Sequence, residues 1–193
     1  MGFQKLLIAN RGEISVRIAR AAAEMEITSV AVYSQDDATS LHLSVADEAV
    51  ALPGSGVPAY LNGKQIIEAA KTTGCDAIHP GYGFLSENGA FARACKDAGL
   101  TFIGPSPDAL ALFGNKARAR ALAEQVGVPL LPGTNGATSL SEAKVFFESL
   151  GSNAAMMIKA VAGGGGRGLR LVPKAPAIAE PLPRGQSAAT TAI

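Results

Sequence analysis

The chain has 193 residues, of which 48% are hydrophobic and 17% charged, with a net charge of +1. This balance excludes a disordered chain, which would be rich in charge and poor in apolar residues, and the length suits one domain or one domain with part of another. No apolar run reaches the roughly 18 residues that a membrane-spanning helix needs, and no basic excess marks a nucleic-acid binder.

Lys5 to Ala9 is a short apolar run ending in Asn10-Arg11-Gly12. Ile14, Ile18, Ala21, Ala22 and Met25 then recur at helical spacing, and Ser29 to Tyr33 is a second apolar, β-branched run. Strand, helix and strand within about thirty residues form a βαβ unit, which implies a parallel sheet. The pattern repeats: a strand at Ala46 to Ala51, a helix from Gly63 through Lys71 capped by Asn62, a strand at Cys75 to His79, a helix at Glu87 to Ala98 and a strand at Thr101 to Ile103. Gly104-Pro105 is a stop signal. Residues 1–113 therefore read as a doubly wound α/β domain.

Beyond it, Asn115 to Val126 reads as a helix, and Ser139 to Leu150 as another, capped by Ser139 or Ser141. Ala155 to Val161 is a strand, followed by Gly163-Gly164-Gly165-Gly166-Arg167-Gly168 and a strand at Leu169 to Val172. Residues 173–193 hold four prolines among Ala, Ser and Thr, which suits neither a helix nor a central strand. Cys75 and Cys95 are too few for a disulfide scaffold and read as reduced core residues. With no leader pattern before the first strand, the expected location is cytoplasmic.

Three segments could carry chemistry. The glycine run fits G-x-G-x-x-G in form, but a strand follows it, so it describes a hairpin flap and not a dinucleotide fingerprint. Side-chain-free residues would let backbone N–H groups approach phosphate oxygens; the alternative is a surface loop without a ligand. Lys159 stands inside the apolar strand Met156 to Val161, on one face with Met157 and Val161. Read as a buried amine, it must meet an anion or snorkel out. The third segment, His79-Pro-Gly-Tyr-Gly-Phe-Leu-Ser-Glu-Asn88, follows a strand and opens a helix, where parallel sheets bind ligands. Gly81 and Gly83 permit close backbone approach and Tyr82 offers a face and a hydroxyl. Glu87 reads either as a site carboxylate or, favoured on spacing, as a first-turn acid stabilised by the helix dipole. His79 alone reads as a satisfied loop histidine, and His42 has no partner in sequence. No Cys/His cluster or acid pair suggests a metal site.

Together these segments resemble the N-terminal part of biotin carboxylase, the ATP-grasp subunit or domain of biotin-dependent carboxylases. The matching stretches are Ile8 to Ile14 with Arg17-Ile18, Ala46 to Ala49, Tyr60-Leu61, His79 to Asn88, Phe102 to Pro105, Asn115-Lys116, Val128-Pro129, Pro132-Gly133 and Ile158-Lys159 with the glycine run. The resemblance implies a Rossmann-like preATP-grasp domain with a parallel sheet over residues 1–113 and the start of an α+β ATP-grasp small domain over 114–172. Residues 173–193 form a Pro/Ala-rich tail that departs from the family pattern.

It also implies a function. ATP and Mg²⁺ activate bicarbonate as carboxyphosphate, whose CO₂ carboxylates biotin on a carrier protein or domain, for use by a carboxyltransferase. Lys116 and Lys159 would contact the nucleotide phosphates, Gly163, Gly164, Gly165 and Gly166 would close over ATP, and Tyr82, Gly83 and Glu87 would line the biotin and bicarbonate pocket. The family's metal-binding and catalytic acids belong to a later region, so no catalytic residue and no metal ligand is expected here, and the chain alone is expected to be inactive. Two further readings are a carbamoyl-phosphate-synthase-like ATP-grasp ligase, using the same lysines and flap, and a non-catalytic pseudo-subunit forming dimers. Gly89 stands where the family usually has Ala, which would slightly weaken that helix; Leu169 for Met is a volume-conserving change.

Overall fold

The computed structural model of the chain describes residues 2–134, 136, 138–151, 154–159 and 169–173. It divides into two compact units, Met1–Ala111 and Leu112–Ile193.

The first unit runs β1 (Lys5–Ile8), α1 (Gly12–Glu24), β2 (Thr28–Tyr33), a 3₁₀ turn (Gln35–Asp37), α2 (Leu41–Val45), β3 (Glu48–Ala51), α3 (Val57–Tyr60), α4 (Gly63–Thr72), β4 (Ala77–His79), α5 (Gly89–Asp97) and β5 (Thr101–Phe102). A further helix, α6 (Pro107–Phe113), begins in this unit. The sheet has the order β3-β2-β1-β4-β5, and every pair is parallel. Helices cover both faces, which is why β1 and β2 are apolar in succession and not in alternation. Leu7, Val30, Val32 and Ile78 face Tyr60, Ile66, Ala70, Phe91 and Cys95. Leu6, Ile8 and Ala77 face Ile14, Ile18, Ala19 and Ala22 of α1. The α/β class and parallel sheet expected from the βαβ pattern are therefore present. The chain winds outward in both directions from β1 and β4, so the loops at their carboxyl ends part and leave a crevice between them.

Asn62 caps α4 by accepting from Gln65 N–H at 3.2 Å, and Asn88 caps α5 by accepting from Phe91 N–H at 2.9 Å. The second cap corrects one expectation. Because α5 starts at Gly89, Glu87 precedes the cap and is not a first-turn acid. Gly89 also does more than weaken a helix. A Cβ there would lie 3.1 Å from Pro107 O and 3.3 Å from Ala111 N, so its smallness lets α5 approach the backbone of α6. The short helices α2, α3 and α6 have five, four and seven residues, too few for a 3.6 period to show.

The second unit holds α7 (Lys116–Gln125), α8 (Leu140–Ser149) and the antiparallel pair β6 (Met156–Lys159) and β7 (Leu169–Val172). Ser139 forms a capping box with Glu142 at the start of α8, which selects it over Ser141. Ala143, Phe147, Met156 and Val172 make the small core. Lys159 pairs with Leu169, the geometry of a hairpin. The glycine residues expected to cover ATP, Gly163 to Gly166, lie outside the described residues, as does the chain from 174 onward.

Candidate functional site

The crevice of the first unit is built from the loops that follow β1 and β4. Ala9 N–H donates to His79 O at 2.9 Å, carrying the ladder one residue past β1. Asn10 then turns its side chain across. Its Nδ2 donates to Pro80 O at 2.7 Å and to Tyr82 O at 2.8 Å, and its Oδ1 accepts from Arg11 N–H at 2.9 Å. Asn10 is only 3% exposed, so its side chain meets little competition from water for these bonds. Gly81 lies against it with φ +65°, and a Cβ there would come within 2.8 Å of Asn10 Nδ2. A side chain at 81 would therefore expel the asparagine or distort the loop. Gly81 N–H donates to His79 Nδ1 at 3.0 Å, which fixes the proton of the neutral ring on Nε2. Burial pushes the His79 pKa down, so this histidine pins the loop in its neutral form.

A second tie runs through Arg11. Its guanidinium meets Asp37 at 3.0 Å and lies over the rings of Tyr60 and Phe84, 5.4 and 5.9 Å from their centroids. The two rings stack at 5.2 Å with an interplanar angle of 11°. Asp37 also accepts from Tyr60 Oη at 2.7 Å and Ser40 Oγ at 3.1 Å. Partial burial alone would push the Asp37 carboxyl up. Hydrogen bonds from Tyr60, Arg11 and Ser40, with the Arg11 charge, outweigh it and hold the group at about 2. The same hydrogen bond and charge raise Arg11, while burial and then Asp37 push the Tyr60 hydroxyl up.

On this base stand the residues singled out from sequence. Tyr82 is 61% exposed, and its hydroxyl donates to Glu13 in the first turn of α1. Gly83 has φ +67° and open space where a side chain would be, so another molecule can come close to its backbone. Glu87 is exposed, on the same loop. The structure thus places Tyr82, Gly83 and Glu87 on one ledge at the carboxyl end of β4. That ledge offers an aromatic face, backbone polar groups and a carboxylate.

In the second unit Lys116 is exposed at the first turn of α7, which Asn115 caps through the N–H groups of Ala117 and Arg118, each at 3.1 Å. A helix N-terminus favours negative charge, and an ammonium there adds to the field. Lys159 corrects the expectation of a buried amine. It is exposed, sharing the outer face of β6 with Met157, which is 46% exposed. The reason is architectural. Among the described residues the β6–β7 pair packs one face against α8, through Met156 and Val172, and Met157 and Lys159 are exposed on the other. Among the described residues no group of three or more His, Cys, Asp and Glu could hold a metal ion, and no helix is long and apolar enough to cross a membrane. His42 is buried and donates from Nε2 to Val32 O at 3.2 Å. Sequence reasoning gave no role to Asn10, Arg11, Asp37, Tyr60 or Phe84. The stretches Asn10-Arg11-Gly12 and His79 to Asn88 were visible signals, but their mutual contact was not.

Residues 2–110 match the family described as "Biotin carboxylase, N-terminal domain", and residues 115–193 match "Carbamoyl-phosphate synthase L chain, ATP binding domain". The second match takes in the proline-rich tail. Over 165 residues the chain is 53% identical to a putative urea carboxylase of Emericella nidulans, covering 85% of this chain and 13% of that protein. It is 49% identical over 170 residues to biotin carboxylase 1 of Bacillus subtilis, covering 87% of this chain and 37% of that one. Among solved structures, the biotin carboxylase domain dimer of Hydrogenobacter thermophilus 2-oxoglutarate carboxylase, in complex with MgADP, ADP and bicarbonate, superposes with a TM-score of 0.94 at 40% identity. That match covers 100% of this chain and 42% of the other. The chain therefore spans less than half the length of each of these relatives.

Proposed function

The chain belongs to the biotin carboxylase family, and we propose from this that it takes part in the ATP-dependent carboxylation of carrier-bound biotin by bicarbonate. Bicarbonate oxygen takes the γ-phosphoryl group of ATP, giving carboxyphosphate and ADP. Cleavage of its C–O bond releases phosphate and CO₂, and the ureido nitrogen of biotin gives its proton to the released phosphate and bonds to the carbon of CO₂. Such phosphoryl transfer depends on positioning and charge neutralisation. Lys116 and Lys159 supply positive charge toward the nucleotide phosphates, with Gly163 to Gly166 as the covering flap. Tyr82, Gly83 and Glu87 form the wall for the biotin ring and bicarbonate. Mg²⁺ enters on the nucleotide phosphates, and no ligand for it is assigned to the described residues.

The observation that carries this reading is the ledge after β4. An open glycine backbone and an exposed tyrosine are held at the switch point of the sheet by a buried asparagine. The solved relative that binds MgADP and bicarbonate supports it. A biotin carrier and a carboxyltransferase are the expected partners, a homodimer the expected assembly, and the cytoplasm the expected location.

Calorimetric titration of the purified chain with MgATP tests the nucleotide half. Binding is expected, weakened at least about tenfold in Lys116→Ala and in Lys159→Ala, since hydrogen bonds to charged groups contribute about 1.5–3 kcal/mol. Undiminished binding by both variants would overturn it. A carbamoyl-phosphate-synthase-like ligase would share the ATP-binding span but not the biotin wall, so titration with free biotin separates the two.

A further inference from the structure

We infer that Arg11 is a positioning residue for the turn Gly81 to Ser86, the turn that presents Tyr82 and Gly83. The inference rests on the proposed function only for what the turn holds, not for how it is held.

Phe84 has φ +41°, the left-handed region that a side chain disfavours; among the described residues Glu26 is the other non-glycine there. A bulky residue persists in such a conformation only where its surroundings over-determine it. Here the surroundings are the edge of the apolar core, on which Phe84 packs, together with one ring and one cation. The Phe84 ring stacks on Tyr60, and the Arg11 guanidinium covers both. Asp37 then fixes the guanidinium and the Tyr60 hydroxyl together. Arg11 thereby connects the loop after β1, the 3₁₀ turn after β2, the end of α3 and the loop after β4.

Position in the chain sharpens the argument. Asn10 and Arg11 are neighbours and grip the same turn at two places, on either side of Gly83. Asn10 holds the carbonyls of Pro80 and Tyr82, while Arg11 holds the ring of Phe84. Gly83, with no atom near its Cα face, lies between the two grips and owes its placement to both. A lysine at 11 would keep a charge toward Asp37 but lose the flat face that lies on two rings.

The turn carries its own reporter, because Ser86 N–H donates to Gly83 O at 2.9 Å. Amide hydrogen exchange is measured on the ¹⁵N-labelled full chain, with Ala9 N–H, bonded to His79 O, as the reference for the sheet. Arg11→Ala is expected to quicken exchange at Ser86 at least tenfold while Ala9 keeps its wild-type rate. Arg11→Lys should give an intermediate rate at Ser86. Should Arg11→Ala fail to fold, Arg11→Lys and Phe84→Leu decide, both with Ser86 faster and Ala9 unchanged. Wild-type exchange at Ser86 in the folded variants, or equal acceleration of Ser86 and Ala9, would overturn the inference. Free biotin titrated into the wild type and the variants is read separately. If Ser86 quickens as expected and even the wild type ignores biotin, the positioning role stands and the reading of the turn as a biotin wall falls.

Discussion

Asn10 and Tyr82 lie 72 positions apart and are joined by a 2.8 Å hydrogen bond from the asparagine amide to the tyrosine carbonyl. The second hydrogen of the same nitrogen reaches Pro80 O, and the amide oxygen takes Arg11 N–H. Removing the side chain would leave two carbonyls without a donor, that of Pro80 in a buried place and that of Tyr82 in a part-buried one. Asn10→Ala is expected to cost on the order of 3 kcal/mol in urea unfolding. Asn10→Asp should cost at least as much, since a carboxylate would face both carbonyls.

Gly81 and Gly83 make a matched pair for substitution. Both have positive φ, but an added Cβ meets Asn10 Nδ2 at 2.8 Å in one case and open space in the other. Gly83→Ala is expected to cost about 1 kcal/mol, the conformational penalty alone. Gly81→Ala adds a steric clash and should cost about 2–4 kcal/mol. Thermal unfolding of the two variants side by side would contradict this if Gly83→Ala proved the more damaging.

Asp37 sets a pH dependence with a definite sign. Its carboxyl is held at about 2 against an ordinary 3.8. The folded state therefore binds this proton less readily than the unfolded one. The stabilisation is complete above the ordinary value and is lost as pH falls through the lower one. By linkage it amounts to roughly 2 kcal/mol. Asp37→Asn should flatten the part of the stability curve between about pH 4 and pH 2, and an unchanged slope there would contradict the assignment.

The capping box of α8 can be removed one atom at a time. Ser139 Oγ accepts from Glu142 N–H at 3.3 Å, and Glu142 Oε2 accepts from Ser139 N–H at 2.7 Å. Ser139→Ala is expected to lower stability by about 1 kcal/mol and Ser139→Thr by less, measured by denaturant melts followed at helix wavelengths.

Much of this was legible along the chain. The βαβ repetition announces a parallel sheet because local periodicity and connection length alone set it. Asn62 declares its helix by position. The grip of Arg11 on Phe84 could not be read in the same way. It depends on four segments meeting in space, and on a left-handed turn at Phe84 that no residue type signals. The exposure of Lys159 was hidden for a different reason. An apolar strand looks the same in sequence whether one or both of its faces are covered, and it is the packing among the described residues, with Met156 and Val172 against α8 and Lys159 exposed, that tells the two apart.

The two thiols give the first unit a chemical clock. Cys75 and Cys95 are both buried, and burial raises both, Cys95 to about 12. Almost no thiolate exists at neutral pH, so an alkylating reagent must wait for the fold to part. The sequence has no other cysteine, and the rate of labelling therefore times the opening of the first unit around these two residues.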